Sequence, residues 1–378
     1  MKRVAITTLG CKTNQFESAA MNDQLSAAGY QVVHFTEPAD FYIINSCTVT
    51  ARTDAETRRL IRRARRLSPE ARIIATGCYA QVAPGDLEKM TELDCVIGNQ
   101  EKQHIAEFLE SGTHTVSDIA TLSSQEPLTL NSFAEHTRAF LQIQNGCNSF
   151  CTYCIVPYAR GRSRSVTPEA VIKGIQDFAT SGFKEIVLTG IHLGAYGLDL
   201  PAPTSLTELV TEIENKSLVP RLRIGSLEPN EVTDEFLNIM ATSDSLCPHL
   251  HLPLQSGSDT VLQRMGRKYS AHFFRELVAR ITTTLPDVFL GADVIAGFPG
   301  ETDAEFAETV QLLEDLPFSD LHVFPYSSRP GTTAAEMADH VPVQIIKERA
   351  ATLRDIAATK KRAYLERFIG QELTVLVQ

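Results

Sequence analysis

The stretch Phe140-Leu141-Gln142-Ile143-Gln144-Asn145-Gly146-Cys147-Asn148-Ser149-Phe150-Cys151-Thr152-Tyr153-Cys154 decides how this chain is read. Phe140–Gln144 reads as a strand, and it runs directly into three cysteines spaced C-x3-C-x2-C. Three thiolates so close together can hold three irons of a cubane iron–sulfur cluster and leave the fourth iron without a protein ligand. A molecule carrying both an amino and a carboxylate group, such as the methionine end of S-adenosylmethionine, can chelate that open iron. One electron then cleaves a carbon–sulfur bond to give a deoxyadenosyl radical, chemistry that cofactors supply and side chains do not. Zinc or unliganded structural thiols are the alternatives, but structural zinc takes four ligands and no fourth is evident nearby.

Downstream, candidate strands at Glu185–Thr189, Arg221–Ser226, His249–Leu254, Phe289–Ala296 and Leu321–Pro325 alternate with helical patterns. With the first strand they make six β/α units, which predicts an open or partial barrel. Thr167-Pro168, Ser205-Leu206-Thr207-Glu208 and Thr302-Asp303-Ala304-Glu305 carry the capping signals of helix starts between those strands. Polar and small residues gather where strands end: Glu228, Gln255 and Ser256, and Ile295 through Gly297 to Glu301. That is the end at which α/β barrels build their sites, although each such residue alone could be a helix cap. His192, His249, His251 and His322 lie on or beside strands and read first as packed or hydrogen-bonded residues.

Upstream, apolar runs at Val4–Thr8, Phe41–Asn45, Arg72–Thr76 and Asp94–Ile97 alternate with helical stretches, predicting a parallel α/β domain. Cys11, Cys47 and Cys78 each follow the end of one of these runs. Strand ends of a parallel sheet collect on one edge, so the three thiols can converge on a second cluster, and helix N-termini there favour thiolate. A scatter of buried free cysteines is the alternative. Cys95, inside a run, and Cys247, before Pro248, read as structural.

Eight cysteines in 378 residues fit metal ligation in a reducing compartment better than a disulfide framework. No early apolar run resembles a signal peptide, and nothing approaches the roughly 20 apolar residues of a membrane span, so a cytoplasmic location is expected. The formal net charge of −11 excludes a uniformly basic surface. Two local basic clusters stand out: Arg58, Arg59, Arg62, Arg63, Arg65 and Arg66 on one predicted helix, and Arg160, Arg162 and Arg164 after the cysteine loop. Such arginines can contact RNA phosphates; a solvated helix face, or a clamp on the loop, is the alternative.

The cysteine triplet at the end of the first barrel strand resembles the radical S-adenosylmethionine superfamily. Together with Cys11, Cys47 and Cys78 on a preceding α/β domain, it resembles the methylthiotransferases over essentially the whole chain. The resemblance implies two 4Fe–4S clusters, one on each cysteine set, and S-adenosylmethionine as both methyl donor and radical source. It implies cofactor contacts from Tyr153, Glu228, Gln255, Ser256, Ile295 and Gly297. The candidate RNA contacts in the two basic clusters are Arg58, Arg62, Arg66, Arg160 and Arg162. The expected organisation is an N-terminal domain over 1–115, a linker over 116–136, a partial (β/α)6 barrel over 137–340 and a helical extension over 341–369. The strand-like Glu372–Val377, within 370–378, then opens a truncated, TRAM-like β domain that in this family helps bind RNA. The segments Thr8–Gln15, Thr189–Gly197 and Phe324–Thr332 look most like the subfamily that acts on threonylcarbamoyladenosine beside the tRNA anticodon. Isopentenyladenosine in tRNA and an aspartate of a ribosomal protein are the alternative substrates, and an iron–sulfur electron carrier is the alternative class. An electron donor and a sulfur source are implied partners, of no identity readable from sequence.

Overall fold

The computed structural model describes residues 1–124 and 137–377, so most of the expected linker lies outside the described residues. The first unit is a five-stranded parallel sheet. Its strands are β1 (Arg3–Thr8), β2 (Gln31–Val33), β3 (Phe41–Ser46), β4 (Arg72–Gly77) and β5 (Cys95–Val96), in the order β2-β1-β3-β4-β5. β2 was not anticipated: it is three residues long, at the sheet edge and mostly exposed, so it shows no run of buried positions. Central β3 is buried along its whole length, as a strand covered on both faces must be. Cys95 is fully buried and its thiol donates to the Thr113 carbonyl at 3.1 Å, a structural role as expected.

The second unit contains six parallel strands: β6 (Arg138–Gln142), β7 (Glu185–Thr189), β8 (Arg221–Ile224), β9 (His249–Gln255), β10 (Phe289–Ala296) and β11 (Asp320–Pro325). They form two three-stranded ladders, β6-β7-β8 and β9-β10-β11. The Leu222–Leu246 bridge and the Leu227 N–H donating to the His251 carbonyl at 3.0 Å join the ladders. The result is the expected partial barrel. Capping boxes at Ser205 and Thr302 start two of its helices, while Thr167 precedes Pro168 without a side-chain cap.

The first helix, Lys12–Ala27, packs against β6, and its Phe16 lies in the barrel's main apolar core. The last helix, Val343–Glu366, packs across β10 and β11. Residues 371–377 carry no strand, contrary to the expectation for Glu372–Val377. Apolar alternation makes a strand only where another strand offers its hydrogen-bonding edge, and none pairs with this segment. No helix among the described residues is long and apolar enough to cross a membrane.

Candidate functional site

Parallel register aligns the ends of the first sheet: Thr8 pairs with Asn45 and Ser46 with Gly77, so the chain leaves three adjacent strands at one edge. Two glycines permit the close approach that follows. A Cβ on Gly10 (φ +96°) would sit 2.7 Å from the Cys47 Cβ and 2.8 Å from its sulfur, and one on Gly77 (φ +94°) would sit 2.3 Å from the Ser46 carbonyl oxygen. Asn14 Nδ2 ties the loops together, donating to the Leu9 carbonyl at 2.7 Å and the Ser46 carbonyl at 3.0 Å. Burial pushes the Cys47 thiol up to about 11, and the neighbouring Cys78 and Cys11 push the same way. Thiols so crowded become thiolates only against a local positive charge, which is the environment an iron–sulfur cluster provides.

The barrel set sits on the loop after β6. Gly146 (φ +74°) lets the loop press against Arg162, whose carbonyl oxygen lies 1.9 Å from where a Cβ would stand. The Cys147 N–H donates to the Gly161 carbonyl at 3.0 Å. Thr152 is fastened three times: its N–H donates to the Met265 carbonyl at 3.0 Å, its hydroxyl to Arg264 at 2.9 Å, and its carbonyl accepts from Ala334 N–H at 2.8 Å. Burial pushes Cys154 up to about 12, with Cys151 and Cys147 adding to it despite a backbone hydrogen bond from Val156. The donor set again suits a cluster: three thiols on one tightly held turn.

Two side chains not among the expected cluster or cofactor residues approach these sulfurs. Arg267 Nη1 lies 3.3 Å from Cys151 Sγ, while Nη2 pairs with the Glu228 carboxylate and Nε lies 3.0 Å from the Tyr269 hydroxyl. His192 Nδ1 lies 3.6 Å from Cys147 Sγ, and its Nε2 is 2.6 Å from Glu231 Oε1. Burial disfavours the imidazolium, but Cys147 and Glu231 outweigh it and hold His192 at about 10. The only sequence signal for Arg267 was its place after the turn glycine Gly266, which many surface arginines share.

Of the residues expected around the cofactor, Tyr153 and Ile295 meet in one apolar cluster with Val261, Met265, Phe298 and Ala334, beside the cysteine loop. Glu228 faces the same loop through Arg267, and Gln255 holds a left-handed backbone (φ +65°) at the end of β9. Ser256 and Gly297 make packing contacts. Ser256 is fully buried, with its hydroxyl 3.1 Å from Thr309 Oγ1 and accepting from the Ser258 N–H at 3.2 Å, so it fastens the helix Asp303–Asp315. Gly297 donates its N–H to Glu301 at 2.9 Å, and a Cβ there would meet Ile346 Cγ1 at 2.4 Å; its smallness serves the last helix.

The arginine clusters divide. Arg160 is 1% exposed and is not a surface RNA contact. Its Nη1 and Nη2 bind Glu17, Nη2 also binds Asn14 Oδ1, and Nε donates to Cys78 Sγ at 3.3 Å. It therefore reaches from the barrel's cysteine loop to the N-terminal cysteine set, and Lys102 completes the buried network with Nζ 2.6 Å from Glu17. A second bridge between the units, Arg329 to Asp54 at 2.5 Å, is also buried. Arg58 turns inward to the Tyr79 hydroxyl at 2.7 Å. Arg62 is exposed and 3.5 Å from Glu92, Arg66 is exposed, and Arg162 is exposed with its guanidinium 5.0 Å from the Phe150 ring centroid.

The chain matches the Uncharacterized protein family UPF0004 over residues 3–98 and the Radical SAM superfamily over residues 141–313. It is 42% identical to the threonylcarbamoyladenosine tRNA methylthiotransferase of Bacillus subtilis, over all of this chain and 85% of that one. It is 33% identical to a tRNA-2-methylthio-N(6)-dimethylallyladenosine synthase of Staphylococcus epidermidis, over 99% of this chain and 74% of that one. Among solved structures, the radical S-adenosylmethionine methyltransferase TsrM of Kitasatospora setae superposes with a TM-score of 0.63 at 15% identity, over 88% of this chain and 77% of that one, which shows a shared fold. Three cysteines at one end of each of two α/β units, with full-length likeness to these enzymes, place the chain in the radical S-adenosylmethionine methylthiotransferases, within the threonylcarbamoyladenosine tRNA methylthiotransferase family.

Proposed function

We propose that this protein inserts a methylthio group at carbon 2 of N6-threonylcarbamoyladenosine, next to the anticodon of a tRNA, in the cytoplasm. The observation that carries the reading is the buried Arg160 bridge, by which the segment following the barrel cysteines reaches Cys78 of the N-terminal set. When bound, the barrel cluster supplies the electron that cleaves S-adenosylmethionine, and the N-terminal cluster supplies the sulfur. Cys147, Cys151 and Cys154 would hold the first cluster, and Cys11, Cys47 and Cys78 the second. Tyr153 and Ile295 would wall the adenosine side of the cofactor and exclude water, with Gln255 and Glu228 offering polar contacts. Arg267 orients Glu228 and donates toward Cys151. His192, held by Glu231, approaches Cys147 and favours its thiolate form.

Residues 1–115 and 137–340 are the two working units in this reading, with the 341–369 extension bracing the barrel. A low-potential electron donor and a sulfur source are required. The substrate follows the greater likeness to threonylcarbamoyladenosine enzymes than to the dimethylallyladenosine synthase. Nucleoside mass spectrometry of bulk tRNA from cells with and without the gene tests this. Loss of the 2-methylthio product with accumulation of threonylcarbamoyladenosine is expected; an unchanged profile rejects the substrate.

A further inference from the structure

Side chains alternate across a strand, so each barrel strand has one face toward the helices and one toward the lumen. Leu141 meets Gly174 of the helix Pro168–Thr180, so Leu141, and by register Leu188 and Ile224, face the helices. Their alternates Arg138, Gln142, Glu185, Arg221 and Arg223 therefore face the lumen, where Arg138, Glu185 and Arg221 stand in register on three adjacent strands.

The charges there do not balance. Glu185 is shared by Arg138 at 3.5 Å, Arg221 at 2.9 Å and Arg223 at 2.9 Å. The other lumen carboxylate, Asp293, is already taken by His251 at 2.8 Å and His322 at 3.2 Å. Lys12 adds a further cation from the N-terminal unit. It opens the helix Lys12–Ala27 that packs against β6, which brings its charge near Arg138 and Arg223. Lys12 is solvent-exposed, and it forms no ion pair among the described residues. On the same lumen face, Gln142 is 4% exposed and its Nε2 donor has no partner among the described residues.

We infer that this lumen recognises the carboxylate of the threonylcarbamoyl group, with Lys12 and Arg223 as its ionic partners and Gln142 as a hydrogen-bond donor. The inference rests on the substrate proposed above and names what selects it. Excess cations beside an orphaned buried donor suit an anionic, acceptor-rich ligand. A threonylcarbamoyl group ends in a carboxylate; a dimethylallyl group is hydrocarbon and leaves the same cations unpaired, the asymmetry that produces strong discrimination. Lys12 directly follows Cys11, so holding the substituent there orients the base toward the N-terminal cysteine set.

The test compares binding of cluster-loaded protein to one tRNA carrying threonylcarbamoyladenosine and to the same tRNA with unmodified adenosine at that position. The wild type should prefer the modified tRNA by about tenfold or more, the scale of a charge-assisted contact. Lys12→Gln and Arg223→Gln should each erase most of that preference while binding unmodified tRNA as the wild type does, and Lys12→Arg should restore it. Arg223 is remote in sequence from every cysteine of the two sets, so its variant separates recognition from cluster assembly. Preference retained in both variants overturns the assignment. Equal weakening toward both tRNAs also overturns it, because the cations then contact backbone phosphate. A wild type that binds the modified tRNA preferentially yet never methylthiolates it overturns the functional reading instead.

Discussion

Replacing Arg160 with methionine removes a buried guanidinium while keeping much of its volume. The side chain is 1% exposed and bonded to Glu17, Asn14 and Cys78. Breaking a buried ion pair costs about 3–5 kcal/mol, chiefly because the remaining charge is stranded. Here Lys102 stays 2.6 Å from Glu17 and keeps the carboxylate compensated, which places the loss near the lower end, about 3 kcal/mol. At about 2–4 °C per kcal/mol for a unit of this size, the melting temperature should fall by about 6–12 °C. Calorimetry of cluster-loaded protein reads that shift. Burial alone would raise the Glu17 carboxyl, but Arg160 and Lys102 overcome it and hold it below the ordinary value. A depressed carboxyl stabilises the fold above its unfolded pKa, and that stability is lost as pH falls through the folded value. In Arg160→Met the acid transition should therefore begin at higher pH. Loss of a cation and an N–H donor beside Cys78 should also lower the reduction potential of the cluster on that thiol, followed by EPR titration with the barrel cluster as internal reference. Unchanged melting together with an unchanged potential would falsify the role given to Arg160.

Cys47→Ala should remove about half of the bound iron, as expected if each three-thiol site holds one cluster; it should retain reductant-dependent cleavage of S-adenosylmethionine, and full iron content would count against the N-terminal site. His322 is raised above its ordinary value by its bond to Asp293; its contribution is present below the unfolded pKa and fades as pH rises through the folded one. Asp293→Asn should return the His322 titration, followed by proton NMR, toward about 6.5, and an unmoved titration would show that the carboxylate is not its cause. Gly297→Ala should destabilise by about 1–3 kcal/mol, because a Cβ meets Ile346 at 2.4 Å on a backbone of φ +77°; an unchanged melting temperature would show that the last helix yields freely.

Much of this architecture is written in local sequence. The triplet Cys147-x3-Cys151-x2-Cys154 needs only eight consecutive residues, and the barrel strands announce themselves as apolar runs separated by capped helices. The strand-end position of Cys11, Cys47 and Cys78 was enough to expect a shared edge, since parallel register brings successive strand ends together. Other features depend on partners far away in the chain. Arg160, Arg162 and Arg164 look alike in sequence, yet Arg160 is buried because Glu17 and Asn14, on the first helix, accept its hydrogen bonds, while Arg162 stays exposed. Arg267 approaches Cys151 only because the turn after Met265 is fastened to Thr152. Ser256 and Gly297 follow strand ends, and their contacts with Thr309 and Ile346 come from distant parts of the chain. Periodicity and spacing report which backbone a segment adopts, and that is a local matter. Whether a charge is buried, and which sulfur it faces, depends on the few long-range pairs that close two units on each other, and such pairs carry no period of their own.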